Sequence, residues 1–196
     1  MDTWRLLMTP PARGAWNMAV DEALLEAVGR GESLPTLRLY DWAPTCLSLG
    51  LAQSYKDVDV PRLKANGWDV VRRATGGRAI LHADELTYSV TAPPDEPRVR
   101  GSVLESYRRL AGALVAAIRA LGLEDAARSL LARATNVESV IGRVILWETA
   151  AQAFVGAFES QLGLTFERGE LTGGEKARAE ELVQKKYDHP DWTERS

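Results

Sequence analysis

Two hydrophobic periods alternate along this chain and divide it into strands and helices. Residues 4–8 read as a first strand, closed by Thr9-Pro10-Pro11. From Trp16, the apolar residues Met18, Ala19, Ala23, Leu24, Ala27 and Val28 recur at helical spacing around Asp21, Glu22 and Glu26, which predicts an amphipathic helix with Gly29 as its C-cap. Thr36–Tyr40 and Cys46–Leu49 predict two strands paired around Asp41-Trp42-Ala43-Pro44. Asp59 or Val60 ahead of Pro61 opens a short helix that Asn66-Gly67 ends. Later, Ser102 with Glu105 forms a capping box ahead of a helix whose apolar residues (Leu104, Leu110, Leu114, Val115, Ile118, Leu121) repeat until Gly122. Thr135 with Glu138 is a weaker capping box for a short turn. Trp147–Leu162 is amphipathic again with Gly163 as its cap, Leu164-Thr165-Phe166-Glu167 is extended, and Thr172 with Glu175 opens a last helix to about Tyr187. Strands and helices in this irregular order predict an α+β fold, a mixed or antiparallel sheet flanked by helices, rather than a doubly wound sheet.

One stretch breaks both periods. Asp69, Val70 and Val71 lead into Arg72-Arg73-Ala74-Thr75-Gly76-Gly77-Arg78-Ala79-Ile80-Leu81-His82, and Leu86, Tyr88 and Val90 then alternate with polar residues. This is strand, loop, strand. Gly76 and Gly77 can take positive φ and bring backbone N–H groups close to a ligand, and three arginines place permanent charge beside that turn. An anionic or carbonyl-bearing ligand suits such a loop; the plain alternative is a hairpin with solvent-exposed arginines.

Composition narrows the function classes. The 196 residues are 45% hydrophobic and 26% charged, with a formal net charge of −3, so the chain is a soluble globular one without the global basic field of a nucleic-acid binder. No basic leader with an apolar run opens the sequence and no run approaches a membrane span, which leads us to expect a cytoplasmic protein without nucleic-acid or membrane partners. The single cysteine, Cys46, rules out an internal disulfide, and two distant histidines, His82 and His189, argue against a zinc site. We therefore expect no metal site.

Candidate chemistry is sparse outside the loop. There is no P-loop Lys-Ser/Thr after the glycines and no G-x-G-x-x-G opening a helix. Cys46 lies among Leu47, Leu49 and Leu51 and reads as a buried, inert strand thiol rather than a nucleophile. His82 could orient a ligand or act as a base, whereas His189 belongs to a surface tail. Asp84 and Glu85 are adjacent and so face opposite ways on a strand, which argues against a paired acid and base. Trp42, Trp68 and Trp147 read as core aromatics.

These residues carry a resemblance. Arg72 to His82, followed by Glu85-Leu86-Thr87-Tyr88-Ser89, resembles the loop of the biotin/lipoate protein ligase superfamily, and the Arg after the glycines resembles its LipM-type octanoyltransferases. Asn17-Met18-Ala19-x-Asp21-Glu22-Ala23 is similar to that family's first helix. Pro44-x-Cys46-Leu47-Ser48-Leu49-Gly50-x-x-Gln53 is similar to its next strand pair, and Lys185-Lys186-Tyr187 through Trp192 to its C-terminal ending. The resemblance implies a single class II synthetase-like α+β catalytic domain in which Arg72, Arg73, Thr75, Gly76, Gly77, Arg78, Ala79 and His82 surround the carboxyl or thioester end of an octanoyl or lipoyl group. It implies octanoyl transfer from acyl carrier protein to a lysine of a lipoyl-domain acceptor such as the glycine cleavage H protein, with no cofactor. Alternatives are an ATP- and magnesium-dependent lipoate or biotin ligase, and a noncatalytic acyl- or lipoyl-domain-binding remnant. Between about residues 123 and 133 the family has a strand-rich stretch carrying a nucleophilic cysteine and a pocket lysine, and neither has a counterpart here. No catalytic residue is thus identifiable, and a missing segment with an incomplete sheet, or a spatial break near residues 128–133, is expected.

Overall fold

Buried polar anchors fix the first helix as much as its apolar stripe does. In the computed structural model, which describes residues 2–123 and 145–195, helix α1 (Gly14–Gly29) buries Met18, Ala19, Val20, Ala23, Leu24, Ala27 and Val28. On the same helix Asn17 and Asp21, one turn apart, hold the fully buried Arg38: its guanidinium donates to Asn17 Oδ1 at 2.7 Å and Asp21 Oδ1 at 2.9 Å. Asp21 also accepts from Tyr40 Oη and Ser89 Oγ, so a buried charge is met by a closed polar network. The helix has no side-chain N-cap, but the Gly14 N–H donates to Asp69 Oδ2 at 3.1 Å. Gly29 is its last residue rather than its cap; the left-handed turn comes two residues on, at Gly31 with φ +73°.

The chain forms two compact units, Leu7–Thr91 with Gly169–Ser196, and Met1–Leu6 with Ala92–Arg168. In the first, β3 (Cys46–Leu49) is the middle of a three-stranded sheet, with β4 (Asp69–Arg72) parallel on one side and β5 (Ile80–His82) antiparallel on the other. A second pairing joins β2 (Thr36–Tyr40) to β6 (Thr87–Thr91), antiparallel, with Thr36 opposite Thr91 and Tyr40 opposite Thr87. The expected pairing of 36–40 with 46–49 is thus not formed. The connection between them is held elsewhere: Ala12 N–H donates to the Asp41 carbonyl, Ala43 N–H to the Ala12 carbonyl, and the chain passes into a different sheet. A short helix α2 (Val60–Ala65) starts as expected at Asp59, whose carboxylate accepts from Arg62 N–H. Its core gathers α1, Tyr40, Trp42, Cys46 and Val71 with Ala179, Leu182 and Tyr187 of the C-terminal segment. That segment runs through α5 (Gly173–Leu182), capped by Thr172 and Glu175, a π-helical turn (Val183–Tyr187) and a last turn α6 (Pro190–Thr193).

The other unit pairs the start of β1 (Asp2–Met8) in parallel with β7 (Leu164–Arg168), Asp2 opposite Leu164 and Leu6 opposite Arg168. Helices α3 (Val103–Ala120) and α4 (Trp147–Leu162) pack together here, α3 with both bonds of its capping box made and α4 ended by Gly163 at φ +63°. Trp42 is buried, as expected of a core aromatic, but Trp68 and Trp147 are only half-buried. The break expected near residues 128–133 and the capped turn at Thr135 lie outside the described residues. Among the described residues no helix is long and apolar enough to cross a membrane.

Candidate functional site

The Gly-Gly loop is not a hairpin. Because β4 and β5 flank β3 on opposite sides, the chain from Arg73 to Ala79 must cross the end of β3, and it is held there from behind. Leu51 N–H donates to the Thr75 carbonyl at 2.8 Å, and a Cβ on Gly50 would overlap the Gly77 carbonyl, so only glycine lets the two backbones approach this closely. Of the pair expected at positive φ, Gly77 takes it (+95°) and Gly76 does not.

Alternation along β4 separates the two adjacent arginines. Arg72 is fully buried, and its Nε, Nη1 and Nη2 donate to the carbonyls of Trp192, Gly50, Leu51, Gln53, Thr193 and Arg195 at 2.6–3.3 Å. A guanidinium has five N–H donors, so none of them is left to meet a ligand. Trp192 Nε1 returns a bond to the Arg72 carbonyl. Arg72 therefore fastens the C-terminal tail to the sheet. Arg73 points the other way: Nη1 donates to Ser48 Oγ at 2.7 Å and to the Ser48 carbonyl, and Nη2 to the carbonyls of Gly76 and Arg78 at 3.0 Å. It holds the loop from inside.

Behind Arg73 runs a polar chain. Ser48 Oγ lies 2.7 Å from His82 Nε2, and His82 Nδ1 lies 2.6 Å from Glu85 Oε1. The Arg73 guanidinium can only donate, so the Ser48 hydroxyl gives its proton to Nε2 and the Nδ1 proton goes to Glu85. Glu85 also accepts from Thr87 Oγ1 at 2.5 Å, which accepts from Trp42 Nε1 at 2.8 Å, and the Trp42 ring stacks on His82 at 4.0 Å. Burial pushes the Glu85 carboxyl up, but the bonds from His82 and Thr87 outweigh it and hold it below the usual carboxylate range. Serine, imidazole and carboxylate in this order have the connectivity of an activated nucleophile. Ser48 has no exposed surface, however, and its oxygen is already held by Arg73, so the chain positions the loop instead of attacking a substrate.

In front of this scaffold every residue from Ala74 to Leu81 is exposed. Thr75, Gly76, Gly77, Arg78 and Ala79 form the outer wall; among the described residues the N–H groups of Gly76, Gly77 and Arg78 and the Arg78 guanidinium meet no protein acceptor. Such a run of free donors beside a fixed cation favours a carbonyl or carboxylate oxygen. The β5 residues Ile80 and Leu81, 47% and 44% exposed, add apolar surface beside the polar wall.

Residues 13–130 match the model of the lipoyl protein ligase A/B catalytic domain, 118 of 196 residues. The chain belongs to this family. Among curated relatives, an octanoyltransferase LipM from Kyrpidia tusciae is 52% identical over 125 residues, which are 63% of this chain and 46% of that protein. In such alignments the chain spans about half the length of the relatives it matches. An octanoyltransferase LipM from Symbiobacterium thermophilum aligns over 271 positions, at 31% identity and covering 98% of both chains. Those positions exceed the 196 residues present by 75. Among solved structures, a lipoate-protein ligase A bound with ATP superposes with a TM-score of 0.82 at 23% identity over 98% of each chain. A bi-partite lipoate protein ligase from Thermoplasma acidophilum gives 0.81 at 21% identity over 99% of this chain and 97% of that one. Both share the α+β fold.

Within this lipoyl protein ligase A/B family chain, Cys46 is buried on β3, and burial, then the Asp69 charge, pushes its thiol far above the usual range. It is a core residue. Helix α1 approaches so closely that a Cβ on Gly14 would sit 2.9 Å from Val71. His189 caps the last turn and is exposed. Among the described residues no group of three His, Cys, Asp or Glu converges as a metal site. The sequence reading missed Ser48, Gly50, Glu85 and Trp42. The expectation that Asp84 and Glu85 face opposite ways on a strand is not met, because both lie in the turn between β5 and β6, with Asp84 at φ +49°. Alternation along β3 and β5 does put Cys46, Ser48 and His82 on one sheet face, and that signal could have found Ser48.

Proposed function

We propose that this chain serves octanoyl transfer in protein lipoylation, its Gly-Gly loop cradling the carbonyl end of an octanoyl group that comes from acyl carrier protein and goes to a lysine of a lipoyl-domain protein. The end-to-end alignment with the Symbiobacterium thermophilum octanoyltransferase carries the reading. The exposed N–H groups of Gly76 and Gly77 and the Arg78 guanidinium support it, because they would stabilise the oxyanion that develops when a thioester carbonyl is attacked. Over the whole transfer the C–S bond of the donor breaks, a C–N bond to the lysine Nζ forms, and the amine proton leaves with the thiol. A thioester carbonyl is already activated, so the transfer needs neither ATP nor metal, and the compartment is the cytoplasm.

The chain is read as one catalytic domain lacking an internal segment of its relatives, in accord with the 75 surplus aligned positions. A second reading has its own observation. The only cysteine in the sequence is sealed in the core, which favours a noncatalytic acyl- or lipoyl-domain-binding protein. Incubation with octanoyl carrier protein and a lipoyl domain, followed by intact mass spectrometry, tests both. An octanoyl mass on the acceptor supports transfer; octanoate binding with an unmodified acceptor supports the binding protein; neither binding nor transfer overturns both.

A further inference from the structure

A glycine sits in the middle of α3 without a packing reason. Glycine at position 112 is unfavourable in a helix interior, yet no atom lies within 4 Å of where its Cβ would be. What the missing side chain leaves is space: Gly112 lines a cavity of about 410 Å³ together with Pro97, Arg98, Arg108, Arg109, Gln161 and Leu162. Among the described residues its wall holds three arginines and no carboxylate, and these residues lie within the Met1–Leu6 and Ala92–Arg168 unit.

The three arginines have different duties. Arg98 is a strut: it donates to the carbonyls of Leu162 and Gly163 and to Asp2 and Glu96, whose two charges offset its own. Arg109 is half engaged, through Nε to the Arg98 carbonyl at 3.0 Å and Nη2 to the Arg100 carbonyl. Arg108 is exposed and makes no hydrogen bond or ion pair among the described residues. The cavity is thus lined by Arg108, Arg109 and Gln161, with the Arg108 guanidinium and one nitrogen of Arg109 meeting no acceptor among the described residues, and Gly112 adds no side chain to fill it.

We propose that this cavity binds a small oxyanion, phosphoryl or carboxylate, between Arg108 and Arg109. The assignment is independent of the octanoyl reading, since it uses no residue of the loop. Guanidinium forks match the geometry of both oxyanions, and charge-assisted bonds are the strongest such contacts. Titration of the full chain with pyrophosphate and, separately, with octanoate, followed by the amide resonances of Gly112, Gln161 and Leu162, tests it. Saturable shifts with pyrophosphate assign a phosphoryl group, and with octanoate a carboxylate. In either case Arg108→Ala is expected to weaken binding about tenfold, and Gly112→Leu, which fills the space while favouring the helix, to abolish it. Circular dichroism of both variants separates lost binding from lost folding, and Arg108→Lys should recover part of the affinity. Absence of shifts with both probes, or shifts indifferent to Arg108→Ala and Gly112→Leu in folded protein, would overturn the proposal.

Discussion

Two arginine clusters, Arg72, Arg73 and Arg78 in the loop and Arg98, Arg109 and Arg108 beside α3, divide labour alike but balance charge differently. Each has one arginine whose donors are taken, one partly engaged and one facing solvent. Arg98 meets two carboxylates as well as two carbonyls, whereas among the described residues Arg72 meets six carbonyls and no acid. An arginine satisfied by carbonyls fastens its own backbone, and its positive charge stays in the local field. One satisfied by carboxylates is neutralised and depends on their ionisation. The loop therefore keeps a positive potential behind its free N–H groups, as an oxyanion cradle needs.

The largest effect that could break this comparison is at Arg72. Arg72→Met leaves six carbonyls without their donor and frees residues 192–195 from the sheet; about 3–5 kcal/mol of stability is expected to be lost by urea denaturation, with exchange of the tail amides accelerated. Arg98→Met leaves fewer orphaned groups and is expected to cost about 1–2 kcal/mol. Equal losses would show that carbonyl and carboxylate partners are equivalent here. Next comes the contact that lets the loop cross β3. Gly50→Ala drives a methyl into the Gly77 carbonyl and is expected to cost about 2–3 kcal/mol, while Gly76→Ala, with open space and ordinary φ, stays within about 0.5 kcal/mol.

How much of this was legible in the sequence follows from which forces are local. Helix ends were, because Ser102 with Glu105 and Thr172 with Glu175 satisfy orphan N–H groups within one turn. Strands at 36–40 and 46–49 were legible but their partners were not, since pairing is decided by contacts such as Ala12 with Trp42, thirty residues apart. The loop's importance was visible in its composition, yet the duties of Arg72 and Arg73 were not separable without knowing that the tail packs on one sheet face and Ser48 lies on the other. Glu85 was set aside for want of a carboxylate partner; its partner is an imidazole three residues back.

A smaller effect at Glu85 sharpens the role of the polar chain. Its folded pKa is depressed, so the stability it contributes is present in full above its ordinary value of 4.5 and is lost as pH falls below that toward the folded value. Glu85→Gln keeps the shape and removes the charge. It is expected to cost about 1–2 kcal/mol at pH 7 and to flatten the acid limb of the stability profile below the ordinary carboxylate value of 4.5, measured by thermal unfolding across pH. A limb unchanged in the variant would mean that other carboxylates carry it.

Arg78 is the mildest substitution for the fold and the most informative for the site. Its side chain is exposed and makes no hydrogen bond or ion pair among the described residues, so Arg78→Ala should shift stability by less than about 0.5 kcal/mol. If the loop holds a carboxylate or thioester carbonyl, the same change removes one charge-assisted contact and weakens octanoate binding about tenfold by calorimetry. Arg73→Ala would also reduce binding, but by releasing the carbonyls of Gly76 and Arg78, and so would lower stability together with affinity. Loss of affinity without loss of stability at Arg78, and loss of both at Arg73, is the pattern of a wall whose outer arginine meets the ligand and whose inner one holds the wall. Octanoate bound equally well by Arg78→Ala would remove the outer arginine from the site and leave the backbone donors of Gly76 and Gly77 to act without it.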